Sequence, residues 1–66
     1  MGQAYTDKQG RRVEVRQNPD NPLQWAIYCE YKTKGWQPIC MFAPLRQIAQ
    51  LALNDVAREK DWTPVD

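Results

Sequence analysis

The chain contains neither histidine nor serine among its 66 residues, and this double absence limits the chemistry that it can perform. Serine nucleophiles, imidazole acid–base catalysis and histidine metal ligands all need the missing side chains. Cys29 and Cys40 would supply only two ligands to a zinc ion, so carboxylates or a second chain would have to complete such a site. We therefore expect a protein that is not an enzyme and that holds no metal and no cofactor.

The remaining reactive groups are two carboxylates and the two thiols. Glu14 and Glu30 are expected on one sheet face, which formally allows carboxylate-pair chemistry, but no further residue supports a hydrolase. A reactive thiol pair usually lies close in sequence beside a helix amino terminus, and Cys29 and Cys40 instead fall on predicted strands. We expect both thiols to be buried and inert. No small-molecule substrate is evident.

Length and charge are typical of a small accessory domain. Nine basic and eight acidic residues give a formal charge of +1, which does not by itself indicate nucleic acid. We expect residues 1–66 to form a single small domain with a thin core. Oligomerisation would add to the stability of such a domain. Two cysteines are too few for a secreted disulfide scaffold, and no apolar run approaches the roughly 18 residues needed to cross a bilayer. The prediction is a cytoplasmic protein with no membrane contact.

Periodicity predicts an α+β fold, in which an antiparallel β-meander of about four strands precedes one C-terminal amphipathic helix packed on one sheet face. The predicted strands cover residues 3–7, 11–17, 23–32 and 36–42, and the predicted helix covers residues 44–60. Asp7 and Gly10 are typical of a tight turn, whereas residues 18–22 predict a loop where strand pairing stops. Pro38 lacks a ladder donor, so the fourth strand is expected at a sheet edge.

The helix is predicted from an apolar stripe with i, i+3, i+4, i+7 and i+8 spacing. The stripe consists of Leu45, Ile48, Ala49, Ala52, Leu53 and Val56. Pro44 suits the first helical turn, where its missing N–H is no loss. Trp62 is expected to fold back over the helix end. We expect the stripe to lie against the sheet and the polar side of the helix to face water.

The turn at residues 33–35 determines the register of the fourth strand, and a one-residue slip moves every side chain to the other face. A three-residue loop would set Cys29 opposite Ile39 and would place Ile39 and Met41 in the core. A two-residue loop would set Cys29 opposite Cys40, close enough for a disulfide. Glycine suits the last position of the longer loop, so the three-residue loop is preferred.

In the preferred register, the sheet face without the helix combines aromatic and charged side chains. The predicted partner-binding residues are Tyr28, Trp36, Phe42 and Arg16. Tyrosine, tryptophan and arginine supply much of the binding energy in protein interfaces. The leading hypothesis is a non-enzymatic protein-interaction module, or small regulatory protein, that binds a protein partner or forms a homodimer through this face. Alternatively, the aromatic residues cap a small core.

The alternative function is nucleic-acid binding through basic residues of the same face, with aromatic side chains stacking on bases. The residues proposed for it are Arg11, Arg12, Arg16, Lys32 and Lys34. A meander followed by one helix, over about residues 11–57, resembles AP2 DNA-binding domains and the arm-binding amino-terminal domains of tyrosine recombinases, which implies DNA contact. The Trp-Leu-Gly element in the third strand of AP2 domains has no counterpart in residues 37–42. Glu14 and Glu30 on this face would repel phosphate. Salt distinguishes the two hypotheses, because counterion release makes nucleic-acid affinity fall with salt.

Overall fold

The computed structural model of the protein describes residues 2–65. Its elements in chain order are β1 (Tyr5–Thr6), β2 (Arg12–Asn18), β3 (Asn21–Tyr31), β4 (Gly35–Pro38), α1 (Arg46–Lys60) and β5 (Thr63–Pro64). The strands form one antiparallel sheet in the order β4-β3-β2-β1-β5. The predicted α+β fold, a meander followed by one helix, is confirmed, and β5 adds an edge strand that was not predicted.

The turn between β1 and β2 is held by the side chain of Asp7. Its Oδ1 atom accepts the backbone N–H groups of Gln9 and Arg11, both at 2.9 Å. Gly10 follows with a φ of 81°, a left-handed conformation that favours glycine. The predicted tight turn is therefore confirmed, although β1 is shorter than the predicted strand at residues 3–7.

The connection between β2 and β3 is shorter than predicted. Asn18 pairs with Asn21, so only Pro19 and Asp20 lie between the two strands. The side-chain oxygen of Asn18 accepts the N–H of Asp20 at 3.0 Å, and that of Asn21 accepts the N–H of Leu23 at 3.1 Å. Because these asparagines satisfy local backbone donors, pairing continues to the turn itself. The longer loop predicted here is wrong.

The register of β4 differs from both predicted alternatives. Gly35 pairs with Tyr31, so the turn consists of residues 32–34. Gly35 has a φ of 72° and starts the strand, whereas the prediction placed it at the end of the loop. As a result Cys29 lies opposite Gln37, and the register that would bring the two cysteines together is wrong.

The offset from the preferred register is two residues, so the predicted alternation of faces is retained. Trp36 and Pro38 lie on the same face as Tyr28, opposite to the face covered by α1. β4 is an edge strand of the sheet, as the proline predicted. The faces of the sheet are therefore as expected, although the pairing of individual residues is not.

The chain leaves the ladder after Pro38, four residues earlier than the predicted end of the fourth strand. It meets β3 again at an isolated bridge between Trp25 and Ala43. Ile39 and Met41, which were predicted to lie in the core, are 41% and 91% exposed. That prediction is wrong because it required a strand that continues through residue 42.

Helix α1 buries a narrower stripe than predicted. Ala49, Leu53 and Ala57, spaced four residues apart, are almost fully buried. Leu45 and Ile48 belong to the predicted stripe, yet they are 55% and 48% exposed. The two alanines allow the helix backbone to approach the sheet closely, and the contact is therefore centred on Leu53.

Hydrogen bonds on the opposite flank of α1 account for this rotation of the helix. The hydroxyl of Tyr5 in β1 donates to Asn54 Oδ1 at 2.9 Å. Gln50 Nε2 donates to the carbonyl of Gln3 at 3.0 Å. These contacts draw the polar flank toward β1 and turn the flank of Leu45 and Ile48 away from the sheet.

The ends of α1 are formed by backbone geometry. Leu45 is the N-cap, and no side-chain hydrogen bond caps this end of the helix. Pro44 precedes the helix, so the prediction that it lies in the first helical turn is wrong. Asp61 closes the helix with a φ of 57°. The N–H of Trp62 then donates to the carbonyl of Ala57 at 2.8 Å. This brings Trp62 against the core, as predicted.

The core lies between α1 and one face of the sheet. Val13, Ile27, Cys29 and Leu53 form its buried centre. Partly buried side chains pack around that centre, namely Tyr5, Val15, Tyr31 and Trp62. Over residues 2–65, no helix is long and apolar enough to span a membrane.

Candidate interaction surfaces

The helix-free face of the sheet carries a charged cluster centred on Glu14. Arg12 Nε donates to Glu14 Oε1 at 2.6 Å, and Arg16 Nε donates to Glu14 Oε2 at 3.2 Å. Partial burial acts to raise the pKa of Glu14, but the hydrogen bonds from the two arginines outweigh it, and the pKa lies below its ordinary value. Both arginines are therefore partnered within the chain.

The aromatic residues of this face are also engaged. The guanidinium carbon of Arg16 lies 4.0 Å from the centroid of the Trp36 ring, a cation–π contact. Trp36 is half-buried, and Tyr28 is only 5% exposed. The structure thus brings Arg16 and Trp36 together as predicted, but they cover each other. Tyr28 offers too little surface to serve as the predicted contact.

The basic residues proposed for nucleic-acid binding do not share one face. Arg11 Nε donates to Asp7 Oδ2 at 2.8 Å, and its guanidinium carbon lies 4.9 Å from the centroid of the Tyr31 ring. Tyr31 lies two residues after Cys29 in β3 and therefore on the same, helix-covered face of the sheet. Arg11, which stacks on Tyr31, is turned toward that side. Lys32 and Lys34 are exposed in the turn before β4. Arg11 nevertheless lines a cleft at one end of the sheet together with Arg12 and Lys32.

A groove of about 380 Å³ lies beside α1, on the side of the helix that faces β4. Its walls are mostly apolar and include Ile27, Ile39 and Val56. Arg11 and Lys60 contribute the long basic side chains of its lining. The groove exists because α1 covers only part of the sheet face on which it packs.

An exposed apolar segment connects this groove with the start of α1. We refer to its five large side chains as the apolar surface: Ile39, Met41, Phe42, Leu45 and Ile48. Each is at least 41% exposed. Phe42, one of the predicted partner-binding residues, is therefore accessible here, although it follows β4 and does not lie within it. A group of exposed large apolar side chains is typical of a docking site.

The two thiols differ in environment. Burial raises the pKa of Cys29, which lies in the core. Cys40 is exposed and unpaired with Cys29, so the prediction that both thiols are buried is wrong for Cys40. Its Sγ atom accepts the N–H of Ile27 at 3.4 Å. Within residues 2–65, no group of three or more cysteine and carboxylate side chains is arranged to hold a metal ion.

Sequence reasoning missed four members of the apolar surface. Ile39, Met41, Leu45 and Ile48 were assigned to the core because each fits a strand or helix period. The available signal was the regular four-residue spacing of small and apolar residues around Leu53, which favours a close, narrow contact. A narrow contact leaves the neighbouring apolar flank of the same helix uncovered.

Known proteins offer no guide to which of these surfaces is used. No protein-family model matches the chain, and comparisons with curated proteins and with solved structures found no significant match.

Proposed function

We propose that the protein is a non-enzymatic protein-interaction module, of the kind used by small regulatory proteins, and that its partner contacts the apolar surface. One observation carries this proposal. Of the seven large apolar side chains exposed within residues 2–65, five fall in residues 39–48. Exposed apolar residues that are scattered singly are ordinary, whereas a concentration beside a groove is typical of a docking site.

The groove adds a concave element to this surface. Ile39 belongs to both, so an anchor side chain that enters the groove would also contact the apolar surface. Anchors seated in such pockets supply most of the binding energy in protein complexes. Arg16 and Trp36 have a smaller role in this proposal because each is already in contact with the other.

Site-specific photo-crosslinking in the cells that produce the protein tests the proposal. A photoreactive phenylalanine analogue would replace Met41, which is 91% exposed in the apolar surface. The matched control carries the analogue at Lys34, which is exposed in the turn before β4. We expect a discrete protein adduct from position 41 and none from position 34. Adducts at position 34 alone, or no protein adduct at position 41, would contradict the proposal.

Nucleic-acid binding is the second candidate, and one observation favours it. The turns at residues 8–10 and 32–34 lie at the same end of the sheet, where Arg12 and Lys32 line a shared cleft. Glu30 lines that cleft too and opposes phosphate. Titration of a labelled DNA duplex at low and moderate salt tests this candidate. Salt-sensitive binding that weakens in Lys32→Ala would favour it, and absence of binding would remove it.

A further inference from the structure

The protein buries few large apolar side chains. Nine residues form the buried apolar set within residues 2–65, and four of them are alanines. Seven large apolar side chains are exposed within the same range. A chain of about 60 residues builds only a thin core, and association with another chain is a common way to complete it. This distribution indicates that another molecule covers the exposed apolar side chains when the protein functions.

The exposed flank of α1 belongs to the same side of the molecule as the groove. Successive helix residues are about 100° apart, which places Leu45 about 80° and Ile48 about 140° from buried Leu53 in the same rotational direction. Val56 lies on that flank as well, and it lines the groove together with Ile39. The helix flank, the groove and the segment after β4 thus adjoin one another.

Charge distinguishes the kinds of partner that fit this surface. In a two-fold symmetric interface the same patch meets itself, so a patch with a net charge would repel its copy. Arg46 is the one charged residue between positions 39 and 48. Its guanidinium carbon lies 5.7 Å from the centroid of the Trp25 ring. The five side chains of the apolar surface carry no charge and are compatible with a copy of themselves. In the adjoining groove, Arg11 is paired with Asp7 at 2.8 Å. Lys60 lines the same groove, so Lys60 and Arg46 are the cations that the two copies have to accommodate.

The required area is also modest. A stable protein interface buries about 800 Å² on each partner, which is about a sixth of the 4880 Å² that this chain exposes. The five side chains of the apolar surface and the adjoining groove can form the centre of an interface of that size.

From these observations we infer that the occupant of the apolar surface is a second copy of this chain, which packs about a two-fold axis. This inference rests on the proposed function and names its partner. The groove beside α1 of each protomer is covered by the apolar surface of the other. The helix-free sheet face, with its paired charges, remains outside the dimer.

Sedimentation equilibrium of the full chain tests this inference, with reductant present and concentrations from micromolar to millimolar. We expect the mass to rise from 7.8 kDa toward twice that value. The rise should persist at high salt, because an apolar interface is not screened. Ile48→Glu and Met41→Glu should each weaken the dimer about 30-fold or more, as loss of an interface hot spot does.

Gln47→Glu is the matched control, because it introduces the same charge one residue before Ile48, on the polar side of the helix. It should leave the dimer unchanged. Circular dichroism of each variant verifies that the fold is retained, which we expect because residues 41, 47 and 48 are all exposed. Met41→Glu, outside the helix, keeps the test valid if Ile48→Glu fails to fold.

A wild-type chain that stays monomeric at every concentration would overturn the inference, as would a dimer that tolerates both substitutions or dissociates in salt. The proposed function fails separately. If the purified chain is monomeric while position 41 gives an adduct with a different protein in cells, only the identity of the partner is wrong. If position 41 gives no protein adduct, the apolar surface is not a docking site.

Discussion

The helix-free sheet face and the apolar surface differ in how their side chains are satisfied. On the sheet face, Glu14 accepts hydrogen bonds from two arginines, and one of these also stacks on Trp36. On the apolar surface, five large aliphatic, thioether and aromatic side chains are exposed, and the nearby Arg46 lies over the Trp25 ring. The charged and aromatic side chains of the sheet face contact one another within the chain. The side chains of the apolar surface remain exposed and can contact another molecule.

This difference shows why composition is a weak guide to a binding surface in a small domain. Tryptophan, tyrosine and arginine are frequent in protein interfaces, and they are frequent there because they form strong contacts. The same contacts form within one chain when the residues are neighbours on a sheet, as Arg16 and Trp36 are here. The side chains left exposed are then the aliphatic ones that periodicity assigns to the core.

The largest expected effect separates two apolar residues of α1. Leu53→Ala should lower the free energy of unfolding by about 2–5 kcal/mol, because Leu53 is fully buried and its truncation leaves a cavity. Ile48→Ala should cost well under about 1.5 kcal/mol at concentrations where the chain is monomeric, because Ile48 is half-exposed. Urea unfolding of both variants measures the difference. Similar losses at the two positions would mean that α1 is not rotated as described.

An intermediate effect concerns acid, which acts on the charged contacts and not on the apolar surface. Burial acts to raise the pKa of Asp7, but hydrogen bonds from Arg11 and Gln9 outweigh it and hold that pKa below its ordinary value. The pKa of Glu14 is also lowered, by its own two arginine partners. A lowered pKa stabilises the fold above the ordinary value near 4, and that stabilisation is lost as the pH falls through the folded-state pKa.

When the pH is lowered from neutral, the melting temperature of Asp7→Asn should therefore fall less than that of the wild-type chain. The matched variant Asp20→Asn removes an exposed carboxylate in the turn between β2 and β3 and should leave the acid profile unchanged. Thermal unfolding followed by circular dichroism across pH gives both profiles. If the Asp7 variant followed the wild-type profile, the turn carboxylate would not contribute as described.

The smallest expected effect is that of the cation–π contact on the sheet face. Arg16→Gln should lower the free energy of unfolding by about 0.5–1 kcal/mol, because it removes a half-exposed guanidinium from the Trp36 ring. Self-association should not change, because the sheet face lies outside the proposed interface. A marked weakening of the dimer by Arg16→Gln, with stability unchanged, would transfer the interface to the helix-free face.

Local features of the fold were predictable from the sequence. The turn at Asp7 and Gly10 and the edge position of β4 follow from what single residues can do with their own backbone. The register of β4 was not predictable, because a glycine fits either the end of a loop or the start of a strand. Gly35 takes the second position, which shifts the pairing by two residues.

The candidate site depended on the rotation of one helix, which no local pattern determines. The apolar residues of α1 span a wide arc, and either edge of that arc could face the sheet. The choice depends on distant partners, such as the hydrogen bond between Tyr5 and Asn54, whose positions are 49 residues apart. Phe42 was predicted to bind a partner as part of the fourth strand on the helix-free face, but β4 ends at Pro38. Phe42 is nevertheless exposed, and it contributes to the apolar surface instead.

The central claim is that the apolar surface, and not the helix-free sheet face, makes the protein contact. Amide ¹H–¹⁵N NMR spectra recorded over a range of protein concentrations test it most directly, because each residue reports separately. We predict concentration-dependent shifts concentrated in residues 39–48 and at Val56, with Glu14 and Arg16 unchanged. Shifts confined to β2 and Trp36, or a spectrum that does not vary with concentration, would contradict the account of this surface as a contact between two copies.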